Sequence, residues 1–211
     1  MQGHADDLRH RDARCRSHQG RFQAGLLPVL VALALIHSPR VSAQDLTIDS
    51  DRTHAEFWVR PLWLKRLGGV FPVVEGIARR DNLSGALTVD LQIDTRALQM
   101  SRAPALVFAQ SPEFFDTQNH PWIRFQSHTL SIERLSAGGP ITGQLSLRGV
   151  SHGVTLQLAP SACTRPGIDC PVEVSGDLSR SAFGMDSRRL VLGDTVHLAI
   201  SAWLREADPD A

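Results

Sequence analysis

Five histidines, two cysteines and scattered carboxylates carry the chemistry that the chain offers beyond residue 43. His54, His120, His128, His152 and His197 never recur at the i, i+2 or i, i+4 spacing with which one strand or helix turns two ligands toward a metal, so each reads as a surface or turn histidine. Asp49, Asp51, Asp90, Asp94, Asp177 and Asp186 fall at strand ends or on polar faces, where their work is solvation and turn capping. Asp116, directly after Phe114 and Phe115, is placed to fasten that aromatic segment. No G-x-S-x-G, H-E-x-x-H, C-x-x-C or glycine-rich phosphate loop occurs. No catalytic residue, metal ligand or required cofactor is therefore expected. The basic doublets Arg79-Arg80 and Arg188-Arg189 are not interleaved with aromatics as in single-strand binders, and they read as solvated turns.

The cysteines have a different use. Cys163 and Cys170 enclose Thr-Arg-Pro-Gly-Ile-Asp, whose Pro166-Gly167 centre has turn chemistry. In an oxidising compartment such a pair closes as a disulfide, contributing about 2.5 kcal/mol by loop entropy.

The elements holding these residues read as strands. Apolar side chains recur at every second position in Ala55, Phe57, Val59; in Leu87, Val89, Leu91, Ile93; in Ile123, Phe125; and in Ile141, Leu145, Leu147. The pattern returns in Val154, Leu156, Leu158, in Val172, Val174, Leu178, and over Val196, Leu198, Ile200, Ala202, Leu204. Turn residues separate the runs, giving an antiparallel meander of about eight strands in one all-β domain. Closure into a barrel removes exposed edges; a two-sheet sandwich stays open as the alternative. Between Met100 and Pro121 the alternation stops, and Pro104 and Ser111-Pro112-Glu113 predict two short helical turns. Their Leu106, Val107, Phe108, Phe114 and Phe115 are too apolar for water, so the segment is expected to cover one barrel end.

The first 43 residues differ in kind. An arginine-rich head precedes a 13-residue apolar run, Ala24 to Ile36, shorter than the roughly 20 residues of a membrane span, and Val41-Ser42-Ala43 offers a small-residue cleavage site. Residues 1–43 are read as a secretory signal cleaved after Ala43, and residues 44–211 as the mature domain in the periplasm or outside the cell. The formal net charge of the whole chain is zero; after cleavage 16 basic and 19 acidic side chains remain, with Lys65 the single lysine. This balance gives no reason to expect nucleic acid as a partner.

Several motifs in order resemble the YceI family of exported lipid-binding proteins: PEFFDTQNHPWIRFQS at 112–127, ITGQLSLRGVSHGVTL at 141–156, RSAFGMD at 180–186 and LGGVFPVVEG at 67–76. The resemblance implies a lipocalin-like antiparallel barrel around an apolar tunnel that holds an isoprenoid quinone or polyprenyl derivative. On this reading Phe57, Val59, Leu87, Val89, Leu91, Phe125, Leu145, Leu147, Leu156, Val174, Leu198 and Ile200 form the tunnel wall, and Leu106, Phe108, Phe114 and Phe115 the lid. It further implies transient contact with a membrane protein that supplies or accepts the lipid, and leaves a homodimer open. The alternatives are an enzyme acting on such a lipid, through groups near Asp116 or Arg180, and a filled-core stress or interaction module. Two departures stand out: Ser101-Arg102-Ala103-Pro104-Ala105 precedes Leu106 without the usual acid, and Trp63 sits where relatives carry small residues.

Overall fold

The computed structural model describes residues 44–61, 66–188 and 190–206; the expected signal at 1–43, together with Trp63, Lys65 and Arg189, lies outside them. The described residues form strands β1 (Gln44–Ile48), β2 (His54–Pro61), β3 (Leu67–Phe71), β4 (Val74–Arg80), β5 (Ala86–Asp94) and β6 (Trp122–Ser127). Then follow β7 (Leu130–Ser131), β8 (Gly139–Leu147), β9 (Val150–Leu158), β10 (Val172–Ser179), β11 (Leu192–Ala202) and β12 (Leu204–Glu206). Helix α1 (Ala103–Gln110) lies between β5 and β6, and α2 (Arg134–Ala137) between β7 and β8. Twelve strands thus replace the expected eight. The extra ones are short or carry Gly68, Gly69 and Gly76 where an apolar beat would show.

All strand pairs are antiparallel, in the order β12-β1-β4-β5-β6-β8-β9-β10-β11-β2-β3, with β7 beside β5. One end of this path, β12, is joined by the chain itself to β11, two strands in from the other end. β11 and β12 are one run broken only at Trp203; β11 pairs with β10 and β2 while β12 pairs with β1, so the sheet curls back on itself as a barrel. The break leaves backbone groups to satisfy. Buried Thr53 does so, its hydroxyl accepting from the Trp203 N–H at 2.9 Å and donating to the Trp203 carbonyl at 3.3 Å. The outer edge of β3 is tied down by a pair of backbone hydrogen bonds, 2.9 Å each, between Val70 and Gln99.

Inward positions follow the two-residue period. Phe57, Leu87, Leu91, Ile93, Ile123, Phe125, Leu145, Leu147, Leu156, Leu158, Val196 and Ile200 are all buried in one core. At the β8–β9 turn, Arg148 and Gly149 both have positive φ, 55° and 75°, the backbone of a two-residue hairpin that matches strand twist.

Candidate functional site

The barrel interior holds two narrow apolar chambers with a waist of shared side chains between them. Leu91, Phe125, Leu156 and Ile200 line both. The chamber at the lid end takes Phe57, Leu145, Leu147 and Leu198 from the strands, with Phe114 and Phe115 from the lid. The other takes Leu87, Val89 and Val174, with Ile48, Leu135 and Leu204. Both are slender, with cavity volumes of about 50 Å³ and 70 Å³. Arg180 borders the first and Ser127 the second, yet among the described residues no nitrogen or oxygen is exposed on either chamber's surface.

Two glycines set the width of the waist. Gly143, buried on β8, faces the Phe125 ring so closely that a Cβ there would lie 2.7 Å from it. Gly176 on β10 bears the same relation to Leu156, with 2.5 Å from a Cβ to its Cδ2. Phe125 and Leu156 thus lie against the space that side chains at these two positions would fill.

Of the expected wall residues, Val59 does not line either chamber. It is buried at the rim, paired with Val196 and Leu67, where β11 shifts register between Leu192 and Val196. The other eleven border one chamber or both. In the lid, Phe114 and Phe115 are buried and enter the first chamber, packing edge to face with each other at 4.7 Å; Phe115 does the same against Phe57 at 5.1 Å and Phe71 at 5.4 Å. Leu106 and Phe108 stay half-buried behind them and reach neither chamber. Val107, expected to be covered, is 69% exposed, because α1 turns only one side to the barrel. The second expected helical turn is a hydrogen-bonded turn instead: the Ser111 hydroxyl donates to the Phe108 carbonyl at 2.7 Å and accepts from the Glu113 N–H at 3.3 Å, ending α1.

Polar side chains fasten this end. Arg148 donates to the carbonyls of Pro112 (2.8 Å) and Gly184 (2.6 Å), joining the β8–β9 turn to the lid. Arg188 lies over the Phe108 ring at 4.9 Å. Asp116, at φ 51°, accepts the Asn119 side-chain NH₂ on both carboxylate oxygens, at 3.0 and 3.1 Å, and its backbone carbonyl receives the Asn119 and His120 N–H groups. Arg180 is only 1% exposed and borders the first chamber, yet its guanidinium is turned to the wall. It donates to the carbonyls of Gly193 (3.0 Å), Ser187 (2.8 Å), Leu192 (3.2 Å) and Met185. Of the groups an enzyme reading would need, Arg180 is thus engaged with backbone carbonyls, and the Asp116 carboxylate with the Asn119 amide and, at 3.8 Å, the His120 imidazole. The histidines are dispersed among separate local partners: Asp177 for His197 (2.5 Å), Thr142 for His128 (3.1 Å) and the Ala182 carbonyl for His152 (2.8 Å). Among the described residues no three His, Cys, Asp or Glu side chains converge as a metal site would require.

The opposite end is closed differently. Cys163 and Cys170 form a disulfide with Cα atoms 6.3 Å apart. Gly167 in its loop has φ 91°, accepts the Leu204 N–H on its carbonyl at 2.8 Å, and lies so near the Leu204 side chain that a Cβ would meet it at 2.6 Å. Beside this loop α2, four residues long and without a side-chain cap, brings Leu135 to the second chamber.

Comparison with known proteins agrees with this architecture. The structure resembles BcnA of Burkholderia cenocepacia, with TM-score 0.62 and 15% identity over 75% of this chain and 99% of that one. A polyisoprenoid binding domain from Saccharophagus degradans, implicated in plant cell wall breakdown, aligns with TM-score 0.58 and 12% identity over 79% of this chain and 100% of that one. The Campylobacter jejuni YceI protein aligns with TM-score 0.55 and 19% identity over 71% of this chain and 90% of that one. No curated protein sequence matches. The YceI-like domain matches residues 46–204, from the first strand of the barrel to the last. This chain, with its twelve-stranded antiparallel barrel, belongs to the YceI-like family.

Proposed function

We propose that the mature protein carries one isoprenoid-type lipid, a quinone or polyprenyl derivative, with its tail threaded through both chambers. The observation carrying this reading is the pair of slender chambers of apolar surface that share a waist. A globular ligand has no room in so narrow a space, whereas a linear hydrocarbon needs only width. Each CH₂ buried from water contributes about 0.8 kcal/mol, so a tail spanning both chambers binds without a dense set of polar contacts. The polyisoprenoid binding domain among the structural neighbours supports the same ligand class. Export follows from the N-terminal pattern, with cleavage after Ala43, and the disulfide suits an oxidising destination. There the carrier serves storage, transport or stress protection, exchanging its cargo with a membrane partner.

Expression of the full chain in a secreting bacterial host, followed by N-terminal sequencing, native mass spectrometry and organic extraction, tests this. The expected result is a chain beginning at Gln44 that bears one extractable isoprenoid. A clean apo mass that does not change when isoprenoids are supplied would overturn it.

A further inference from the structure

We propose that the ligand's polar head rests at the disulfide end of the barrel, where Arg80 donates to an acceptor oxygen of that head. The inference rests on the lipid-carrying reading and adds the direction and the chemistry of the head. Arg80 ends β4 with the same parity as buried Val74 and Ala78, so it belongs to the inner face, at the rim. Its register partner on β5 is Leu87, which lines the second chamber. A guanidinium is thus set at the mouth of an apolar channel. Its Nε is shut off from solvent and has no hydrogen-bond partner, a donor left for something the chain does not supply.

The space outside that mouth is suited to a head and not to a tail. Arg80, Ile132, Leu135, Arg165, Ile168 and Glu206 border a groove of about 350 Å³, against 70 Å³ in the chamber beneath. Leu135 borders both spaces, so a half-buried side chain on a four-residue helix is what separates them. Within the groove Arg165 is already paired with Asp169 at 2.7 Å. At the other end of the barrel, Arg180 gives its donors to four backbone carbonyls. Arg148, at the lid end, also keeps an Nε without a partner, but its terminal nitrogens donate to the Pro112 and Gly184 carbonyls and it borders neither chamber, whereas Arg80 borders the groove outside the second chamber. A phosphate ester and a quinone carbonyl share the acceptor oxygen that it needs.

Delipidated protein is to be titrated with a prenyl phosphate, a prenyl quinone of equal tail length and a headless isoprenoid hydrocarbon, using the wild type, Arg80→Met and Arg80→Lys, each checked for folding by thermal melt. The wild type should favour at least one oxygen-bearing probe over the hydrocarbon by about tenfold, the scale of one charge-assisted hydrogen bond. That ratio should fall toward one in Arg80→Met and persist in Arg80→Lys, which keeps a charged donor. Preference for the phosphate alone identifies an anionic head; equal preference for the quinone identifies a neutral acceptor. An unchanged ratio in folded Arg80→Met, or no preference in the wild type while the hydrocarbon binds, overturns the head assignment alone. Failure of all three probes to bind the wild type overturns the lipid-carrying reading itself.

Discussion

The two ends of the barrel close the same kind of cavity by opposite means. At the lid end four phenylalanines, Phe57, Phe71, Phe114 and Phe115, interlock, and Arg148 and Arg180 reach across to backbone carbonyls. At the other end a four-residue helix and a small disulfide loop cover the opening, and Arg80 stands beside the open groove outside it. A closure held by buried aromatic area and many hydrogen bonds opens only at large cost. One held by a half-buried leucine and a covalent clip can yield locally while the barrel stays intact. On the proposed lipid-carrying reading, this contrast puts stability at the lid and passage of the ligand at the disulfide end.

The strongest way to break this contrast is at the lid. Phe115→Ala removes the ring at the centre of the aromatic cluster, and a loss of about 3–5 kcal/mol in urea unfolding is expected. Ile168→Ala, half-buried at the other end, should cost distinctly less. Equal costs would mean that the two closures are energetically alike.

The waist gives the next effect. Gly176→Ala places a methyl 2.5 Å from Leu156 Cδ2 and so pushes that side chain into the channel. A long isoprenoid should lose about 100-fold in affinity, since four CH₂ groups denied burial forfeit about 3 kcal/mol. A short one that occupies a single chamber should bind as before. Adding Leu156→Ala should restore the long ligand, as measured by displacement of a fluorescent prenyl probe.

Reduction of the disulfide, or Cys163→Ser with Cys170→Ser, sharpens the contrast from the other side. Stability should fall by about 2.5 kcal/mol. Hydrogen exchange should rise in residues 132–137 and 163–170 while residues 108–116 stay protected, and lipid exchange should speed up. Faster exchange confined to the lid would reverse the assignment.

The smallest effect is electrostatic. The Asp194 carboxyl accepts from the Ser179 hydroxyl (2.5 Å) and the Ser181 N–H (3.0 Å), bonds that hold its pKa below the usual carboxylate value despite some desolvation. A depressed folded pKa contributes stability that is complete above the unfolded value, about 3.9, and is lost as pH falls through the folded one. Asp194→Asn should therefore lower the melting temperature slightly at pH 7 and make no difference at pH 2. A difference that persists at pH 2 would point to packing instead of charge.

Much of this architecture was legible in the residues. The two-residue beat from Val196 to Leu204 marks the inner face of β11 and β12, because one side meets the core and the other meets water. Phe114 and Phe115 could be read as lid residues since such a dense aromatic pair outside a strand has to be covered by something. The beat carried no information on how far the interior stays hollow. That depends on Gly143 and Gly176, glycines whose missing side chains matter only once Phe125 and Leu156 are known to lie opposite. Val59 shared the correct parity but fell beyond the chamber's end, because the β11 bulge is not written in alternation. Arg80 looked like half of a solvated doublet. Only the register against Leu87 places it on the inside of the rim.

The central claim is that the two chambers act as one channel for a linear tail. The most direct test is the affinity of delipidated protein for a homologous series of isoprenoids sharing one head group. Affinity should climb with each added unit while the tail extends through the waist, and level off once both chambers are occupied. An affinity already level at a length that occupies one chamber, or independent of length altogether, would contradict it.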